Sequence, residues 1–563
     1  MLGRLAPLAL LVALAVPAPV AAQGTELMPG VTYDRTVQFT PHGAVVLHVL
    51  TAPRPGDQNG LYALAPVLAR GTITGGTETL TQLQRDVSAS ATVAGIEGDL
   101  FRAADGSPSG IYLQNGVLQH PPLGGRSSIG VDGAGTLRVD RVRFFGTWQG
   151  TGQRRALAGL NRAPAPGEVV LFTQAYGARA PLVAGSAEVV LQPFPPAMPN
   201  VELTATVASV GAGGGEPIPP GGAVLTATGA AAAKLRAEAP VGTTVRTRLI
   251  LQPSWAGVAT ALGGGPLLVR AGKPVFRSLE DFTNDQVTAR TPRAAVGQLA
   301  DGRVLLVAVD GGRPGYSVGL TSYELAQALV RLGAVAAAAV APGDAVTVAF
   351  DGKLLNRPSA RTERPVKEAL LVQYFGVYAP PPSVPLLTGE PGLAQETLSY
   401  KLVRPSTVTA SLVGPDGVSR PVETAAAHAP GTYTFPYSAF DREGNWHWHV
   451  VATDDLGRTS TADRGFRFDT TLRGLAVSSA GGVATARFTL ARPARVTLRI
   501  ETPTGVVLRA LPPAALAAGA RSLRWDGRLP LGTRAYAGAY VAHVLVASDV
   551  GSSDLAVSFG YRR

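Results

Sequence analysis

The chain has 563 residues, of which 46% are hydrophobic and 16% are charged; this is the composition of folded domains, and the length exceeds one typical domain. It contains no cysteine, which excludes disulfide frameworks and cysteine chemistry. The formal charge of +11 favours contact with anionic polymers or membranes, but no run of five basic residues and no nucleic-acid-binding motif occurs, so we expect general adhesion to the cell envelope and no nucleic-acid partner.

The first 22 residues have the pattern of a secretory signal peptide. Arg4 precedes an apolar core of Leu, Ala and Val, and the small residues Val20, Ala21 and Ala22 form a cleavage pattern before Gln23. Two prolines, and an apolar core shorter than the roughly 20 residues that a bilayer requires, disfavour a membrane span. We therefore predict export to the medium or the cell envelope, with no transmembrane segment.

Short strands and turns are predicted after this segment, and the 67 Gly and 45 Pro favour a β-rich architecture. GIEGDLF (residues 95–101) predicts a strand whose end carries Glu97 and Asp99. Two neighbouring carboxyl groups in a cleft push their pKa values apart, which suits acid–base chemistry. His120 precedes two prolines, and both a loop position and a ligand-binding role stay open for it.

No metal or cofactor site is predicted. GGGPLLV (residues 263–269) is rich in glycine but lacks the Lys-Ser/Thr of a phosphate-binding P-loop. His447 and His449 would project from one face of a strand, but two ligands without a third are more often packing or surface residues. The absence of a G-x-S-x-G elbow after a strand gives no support to acyl transfer.

The densest group of polar residues lies between residues 304 and 372. LLVAVDG (residues 305–311) predicts a buried strand that brings Asp310 to a sheet edge. A helix is predicted between Ser322, as its N-cap, and Gly333. Two short strands follow around a turn at 351–352, and a polar loop then carries Asn356 and two arginines. Planar guanidinium groups suit phosphate or carboxylate oxygens, so an anionic ligand is indicated.

These motifs, taken in order, resemble the phosphodiester glycosidase family, which includes the N-acetylglucosamine-1-phosphodiester α-N-acetylglucosaminidases. The matching stretches are GIEGDLF, TPRAAVGQLADG (291–302), DGGRPGYSVG (310–319), DGKLLNRPS (351–359) and ERPV (363–366), within a resemblance that covers roughly residues 27–375. Two departures stand out: Glu97 occupies a position where Asn is usual, and the family's LDGGGS loop is replaced. In that loop Ala341 stands for the acid, Pro342 for a glycine and Ala345 for the serine.

The resemblance implies an α+β, β-rich domain over residues 23–375 with a site for a sugar-1-phosphodiester, and a phosphorylated or anionic envelope glycan as partner. It implies acid–base roles for Glu97, Asp99 and Asp310, and substrate-binding roles for Arg293, Ser317, Asn356, Arg357 and Arg364. Two functions stay open. One is an exported phosphodiester glycosidase acting on envelope glycopolymers; the other is a catalytically inactive envelope protein that binds glycan or adheres through the same scaffold.

The C-terminal part predicts a proline-rich linker (residues 376–394) and two homologous all-β modules (395–472 and 473–563). Arg404 and Gly417 of the first module align with Arg492 and Gly505 of the second at a constant offset. Alternating strands and turn signals favour Ig-like β-sandwiches. The second module resembles the Ig-like domain of the flagellar hook-capping protein through Trp525, Asp526, Gly527, Gly538 and Tyr540, of which the aromatic residues are expected in the core.

Overall fold

The fold begins with two antiparallel sheets that face each other. The computed structural model describes residues 24–382, 386–387, 394–503, 505–530 and 532–563, so the predicted signal peptide and parts of the predicted linker lie outside the described residues. Sheet A has the strand order Thr25–Met28, Val31–Thr40, Gly43–Ala52, Val304–Val309, Arg293–Leu299, Ala334–Ala339, Leu267–Arg270, Lys273–Pro274. Sheet B has the order Lys353–Leu354, Val348–Phe350, Thr92–Glu97, Glu368–Tyr374, Tyr62–Leu68.

Each sheet carries a helix on its outer face, which explains the unbroken apolar run before Asp310. In the strand Val304–Val309, Leu306 and Ala308 point into the core between the sheets, whereas Leu305 and Val307 pack under the helix Ser322–Arg331. The helix Leu80–Val87 covers sheet B in the same way. A strand buried on both faces needs apolar residues at every position.

The helix Ser322–Arg331 begins one residue earlier than predicted. Its N-cap is Thr321, not Ser322, because the Thr321 hydroxyl accepts the Glu324 backbone N–H and the Glu324 carboxylate accepts the Thr321 N–H. This reciprocal capping box leaves Ser322 as the first helical residue.

Two further sheets complete the N-terminal part. Sheet C has the order Val117–His120, Tyr112–Gln114, Val258–Gly263, Ser128–Asp132, Leu137–Asp140 and contributes to the core between sheets A and B. Sheet D has the order Arg155–Leu157, Arg143–Gln149, Thr244–Gln252, Glu202–Ala212, Ala187–Leu191, Ala223–Ala227, Val169–Thr173, Gly159–Leu160 and encloses a separate core. The remaining helical segments of the described residues are Asp57–Gly60, Ala69–Gly71, Ala230–Glu238 and Asn284–Thr288. The prediction of a β-rich protein is confirmed.

Two β-sandwiches follow. The first packs Glu396–Leu402 and Gly431–Tyr437 against Leu386–Leu387, Thr459–Phe468, Gly444–Asp454, Ser406–Val413 and Ser419–His428. The second packs Leu472–Ala480, Val483–Leu490 and Gly519–Trp525 against Val507–Ala510, Ala494–Glu501, Gly538–Ala547 and Ser552–Tyr561, with Ala514–Leu516 beside the strand Ala494–Glu501. Trp525 is fully buried, and its ring meets that of Tyr540 edge-on at 5.9 Å, which confirms the expected core positions.

The first sandwich contacts the N-terminal part through Arg464. Its guanidinium lies 3.0 Å from Glu26 and donates to the carbonyl oxygens of Leu27 and Ala379 at 3.3 and 2.6 Å. Lys401 also lies 3.5 Å from Asp351. Among the described residues, no helix is long and apolar enough to cross a membrane.

Candidate active site

The predicted acids lie at one shared end of sheets A and B, in two polar groups joined by residues 346–348. The Thr347 N–H donates to Glu97 at 2.8 Å on one side of this segment. On its other side, Asn356 accepts the Val348 N–H at 3.0 Å and donates to the Val346 carbonyl at 3.2 Å. The strand order therefore brings Glu97 and Asn356, distant in the sequence, to one edge of sheet B.

Asp310 is the centre of the first group. Its Oδ2 lies 3.0 Å from His48 Nε2, and it accepts the Tyr316 hydroxyl at 2.8 Å and the Arg357 N–H at 3.3 Å. Its Oδ1 accepts the Asn356 side-chain amide at 2.9 Å. Burial raises the pKa of this carboxyl, but the hydrogen bonds from His48, Asn356 and Tyr316 outweigh burial, and the net pKa lies below the ordinary value. Asp310 is therefore ionised at neutral pH.

His48 is a member of this group that the sequence did not reveal. It faces Asp310 because the strands Gly43–Ala52 and Val304–Val309 pair with His48 opposite Ala308. Its Nδ1 lies 2.7 Å from the Tyr33 hydroxyl oxygen, and the single hydrogen of that hydroxyl is within reach of the Leu355 carbonyl at 3.1 Å. Burial raises the pKa of Tyr33 to about 12. The sequence feature that could have indicated its role is a single histidine at an inward-facing position of the apolar strand GAVVLHVLTA.

Ser317 holds the chain behind Asp310. Its hydroxyl donates to the Asp310 backbone carbonyl at 2.5 Å and accepts the Val46 N–H at 3.1 Å, and the residue is fully buried. The predicted serine thus lies next to the predicted acid, with both hydrogen-bonding capacities already used by the backbone.

The second group contains Glu97, Asp99 and a third acid, Glu368. Arg126 donates to Asp99 Oδ1 at 2.6 Å, and Glu368 Oε1 accepts the Asp99 N–H at 3.2 Å. One oxygen of each acid, namely Glu97 Oε1, Asp99 Oδ2 and Glu368 Oε2, is buried without a hydrogen-bond partner among the described residues. Such unpaired oxygens favour the neutral, protonated carboxyl.

The pKa values of these acids shift in the opposite direction from that of Asp310. Burial raises the pKa of Glu97 well above its ordinary value, although hydrogen bonds from Thr347 and from the Glu97 backbone oppose it. Burial also raises the pKa of Asp99 despite the neighbouring Arg126. The pKa of Glu368 is raised well above the ordinary value by burial and then by the charge of Asp99. Glu368 opens the apolar strand Glu368–Tyr374, and nothing in its local sequence distinguished it from a solvent-facing strand end.

The three predicted arginines occupy different settings. Arg293 is buried, and its guanidinium donates to the carbonyls of Leu320 and Ala289 at 2.6 and 2.8 Å, so it holds two loops together. Arg357 lies over the Tyr316 ring, with 5.1 Å between its guanidinium carbon and the ring centroid. Arg364 reaches solvent and forms a 2.8 Å ion pair with Asp344.

The loop that replaces LDGGGS closes the site. Ala341 donates its N–H to the Gly98 carbonyl at 3.1 Å, between Glu97 and Asp99 in the chain. Asp344 turns to Arg364, and both side chains are more than half exposed. Glu97, Asp99 and Asp310 are only 0%, 2% and 1% exposed. At this sheet end, hydrogen-bond donors hold the pKa of the Asp310 carboxyl low, whereas burial raises the pKa values of Glu97 and Asp99, and all three carboxyl groups are shielded from solvent.

Comparison with known families supports the two resemblances that the sequence motifs indicated. Residues 200–373 match the model of the family described as phosphodiester glycosidase, and residues 474–549 match that of the FlgD Ig-like domain. The chain therefore carries a phosphodiester-glycosidase-type domain and a hook-capping-protein-type Ig-like module, as the sequence motifs predicted. The first match includes Asp310, Asn356 and Glu368, whereas Glu97 and Asp99 precede it.

Three individual proteins show the range of similarity. The SPbeta prophage-derived protein YomE of Bacillus subtilis is 30% identical over 118 residues, which are 21% of this chain and 18% of that protein. A Synechocystis protein of known crystal structure is 24% identical with a TM-score of 0.51, covering 62% of each chain, and shows the fold alone. The zebrafish N-acetylglucosamine-1-phosphodiester α-N-acetylglucosaminidase catalytic domain is 11% identical with a TM-score of 0.33, covering 62% of this chain and 84% of that one.

Proposed function

We propose that this chain is an exported hydrolase that cleaves the glycosidic bond of a sugar-1-phosphodiester in an anionic envelope glycan. The observation that carries the proposal is the opposite direction of the pKa shifts of buried carboxyl groups at one sheet end. The pKa of Asp310 is held low by its donors, and the pKa values of Glu97 and Asp99 are raised by burial. Glycoside hydrolysis uses such a pair of one acid and one carboxylate.

Each residue then has a distinct role. Glu97 or Asp99 donates a proton to the departing phosphate oxygen as its bond to the anomeric carbon breaks, and water supplies the new oxygen on that carbon. Asp310 stabilises the oxocarbenium-like charge. Arg357 and Arg364 bind the phosphodiester, while Asn356, Ser317 and Arg293 keep the site in place. Because the acids are closed from solvent, residues 341–345 move when substrate binds.

The proposal also includes a division of the chain into domains. Residues 1–22 form a signal peptide, residues 23–375 one α+β domain with the site, and residues 376–394 a linker. Residues 395–472 and 473–563 form two Ig-like modules that present the domain in the envelope. The +11 charge supports an anionic surface as the setting.

A second function, a catalytically inactive envelope protein that binds glycan or adheres, is supported by the closing loop. Pro342 offers no backbone N–H and fixes its own φ, so the loop lacks the donors of a glycine-rich segment. Arg364, which is predicted to bind substrate, is already engaged in an ion pair with Asp344.

The deciding experiment measures sugar release from methyl-phospho-GlcNAc and UDP-GlcNAc by the full chain. Glu97→Gln keeps the shape of the side chain and should lower the rate by about 10²- to 10⁴-fold if Glu97 is the acid. Glu202→Gln, on the exposed edge of a strand in sheet D, is the matched control and should leave the rate unchanged. An inactive parent together with an active Ala341→Asp, Pro342→Gly, Ala345→Ser triple variant would instead establish the second function.

A further inference from the structure

A basic cleft lies on the N-terminal part, outside the two acid groups. Arg102, His120, Arg143, Phe144 and Phe145 are the lining residues that give it chemical character, and its volume is about 630 Å³. That volume falls within the range of small-molecule binding sites.

His120 supplies the cleft with a neutral hydrogen-bond acceptor. It is 5% exposed, and its Nδ1 lies 2.7 Å from the Gly110 carbonyl and 3.0 Å from the Pro121 carbonyl. Because both partners are acceptors, Nδ1 carries the hydrogen and Nε2 has the free lone pair. Burial lowers the pKa of His120 to about 4, so the ring is uncharged at neutral pH. No described residue bonds to Nε2, which is therefore open to a hydroxyl of a ligand.

Two arginines supply the cleft with available positive charge. Arg143 has no hydrogen bond or ion pair from its side chain to any described residue, and Arg102 has only a 3.9 Å contact with Asp105. The carboxylate of Asp105 is itself bonded to Ser107. A third arginine, Arg162, is already neutralised by Glu168 at 2.7 Å. Two guanidinium groups thus remain for a carboxylate or a phosphate.

An exposed aromatic ring stands beside this charge. Phe145 follows Arg143 by two positions on the strand Arg143–Gln149, so both side chains leave the same face of the sheet. Phe145 is 48% exposed. An acidic sugar has an apolar C–H face, a negative charge and hydroxyl groups. The aromatic ring, the guanidinium groups and the His120 acceptor are complementary to these three features, in that order.

We propose that this cleft is a binding site for an anionic saccharide. Arg143 and Arg102 hold the acidic group, His120 Nε2 accepts a sugar hydroxyl, and Phe145 stacks on a sugar ring. The site adjoins Asp99 through Gly110, where a Cβ would lie 2.8 Å from Asp99 Oδ2. The inference depends on the cleft alone and holds whether or not the chain hydrolyses a phosphodiester.

Calorimetric titration of the full chain tests the site. The probes are trigalacturonate for carboxylate, mannose-6-phosphate for phosphate, and inorganic phosphate and neutral maltotriose for comparison. We expect at least one acidic sugar to bind more tightly than maltotriose and inorganic phosphate. Arg143→Gln should weaken that binding about tenfold or more. The matched control is Arg270→Gln, which changes an exposed arginine outside the cleft and should leave the affinity unchanged.

Phe145→Ala gives an independent variant that removes a half-exposed ring and leaves the core intact, and it should weaken binding severalfold. If circular dichroism shows that Arg143→Gln is misfolded, the affinity of Phe145→Ala tests the proposal instead. The proposal is overturned if no acidic sugar binds, or if inorganic phosphate or maltotriose binds as tightly. Equal losses in Arg143→Gln and Arg270→Gln, or tighter binding of a single-stranded DNA oligonucleotide, would also overturn it. Absence of sugar release in the hydrolysis assay has no bearing on these outcomes.

Discussion

Replacing Asp310 with asparagine tests whether its four hydrogen-bond donors stabilise the end of sheet A. The carboxylate accepts from His48, Tyr316 and the Arg357 N–H through Oδ2, and from Asn356 through Oδ1. Asparagine has nearly the same shape but only one acceptor oxygen, so at least one donor then faces its NH₂ group.

The expected cost follows from these contacts. An unsatisfied buried donor costs about 1–3 kcal/mol, and each hydrogen bond that changes from a charged to a neutral acceptor loses about 1 kcal/mol. With three bonds weakened and one lost, the Asp310→Asn variant should lose about 4–6 kcal/mol of unfolding free energy. Tyr316→Phe removes one of the same donors, so the double variant should lose less than the sum of the single losses.

Hydrogen exchange of the full chain, read on peptides that cover the strand Val304–Val309, measures the loss where it arises. Asp301→Asn is the matched control, because it makes the same chemical change at an exposed aspartate paired with an exposed Arg303. This control should exchange like the parent. If Asp310→Asn also exchanges like the parent, the donors do not stabilise the sheet end and the inferred low pKa of Asp310 loses its physical basis.

Three further predictions concern stability. The pKa of Glu97 is raised, so its protonated form stabilises the fold below the ordinary pKa and this contribution is lost as pH rises through the raised value. Glu97→Gln should therefore unfold at higher urea than the parent at about pH 9 and at similar urea at about pH 4; a reversed order contradicts this. Thr321→Ala removes the cap bonded to Glu324 and should cost about 1 kcal/mol in urea unfolding, and an unchanged midpoint would count against the capping box. Arg464→Ala should raise hydrogen exchange of the strand that contains Glu26, whereas unchanged exchange there would mean that the junction contributes no stability.

The strand before Asp310 and the β-rich architecture could be predicted because both depend on local pattern. An apolar run of strand length that stops at Asp-Gly is enough to predict a buried strand. The helix between Thr321 and Gly333 was also predicted from its local pattern, although the predicted N-cap was one residue too late. The polar loop that carries Asn356 was predicted from the turn pattern, and the family resemblance implied a substrate-binding role for Asn356, but neither predicted that its side-chain amide would bond to Asp310.

His48 and Glu368 could not be predicted, since their partners are set by strand pairing. His48 meets Asp310 through a register between strands more than 250 residues apart, and Glu368 meets Asp99 through the pairing of Glu97 with Ala369. Arg293 was predicted to bind substrate, but the loops around it bring two backbone carbonyls, of Leu320 and Ala289, within hydrogen-bonding distance of its guanidinium.

The two acid groups differ because side chains supply Asp310 with donors that Glu97 lacks. Asp310 accepts hydrogen bonds from three side chains, those of His48, Tyr316 and Asn356, and from one backbone N–H, whereas Glu97 accepts the backbone N–H of Thr347 at 2.8 Å. The neighbouring loop adds none, because the Ala341 N–H is already bonded to the Gly98 carbonyl and Pro342 has no N–H to give. A glycine-rich loop at this point would offer N–H groups and lower the pKa of the buried acids. The Ala-Pro replacement therefore leaves the effect of burial, which raises the pKa values of Glu97 and Asp99, without opposing N–H donors from this loop.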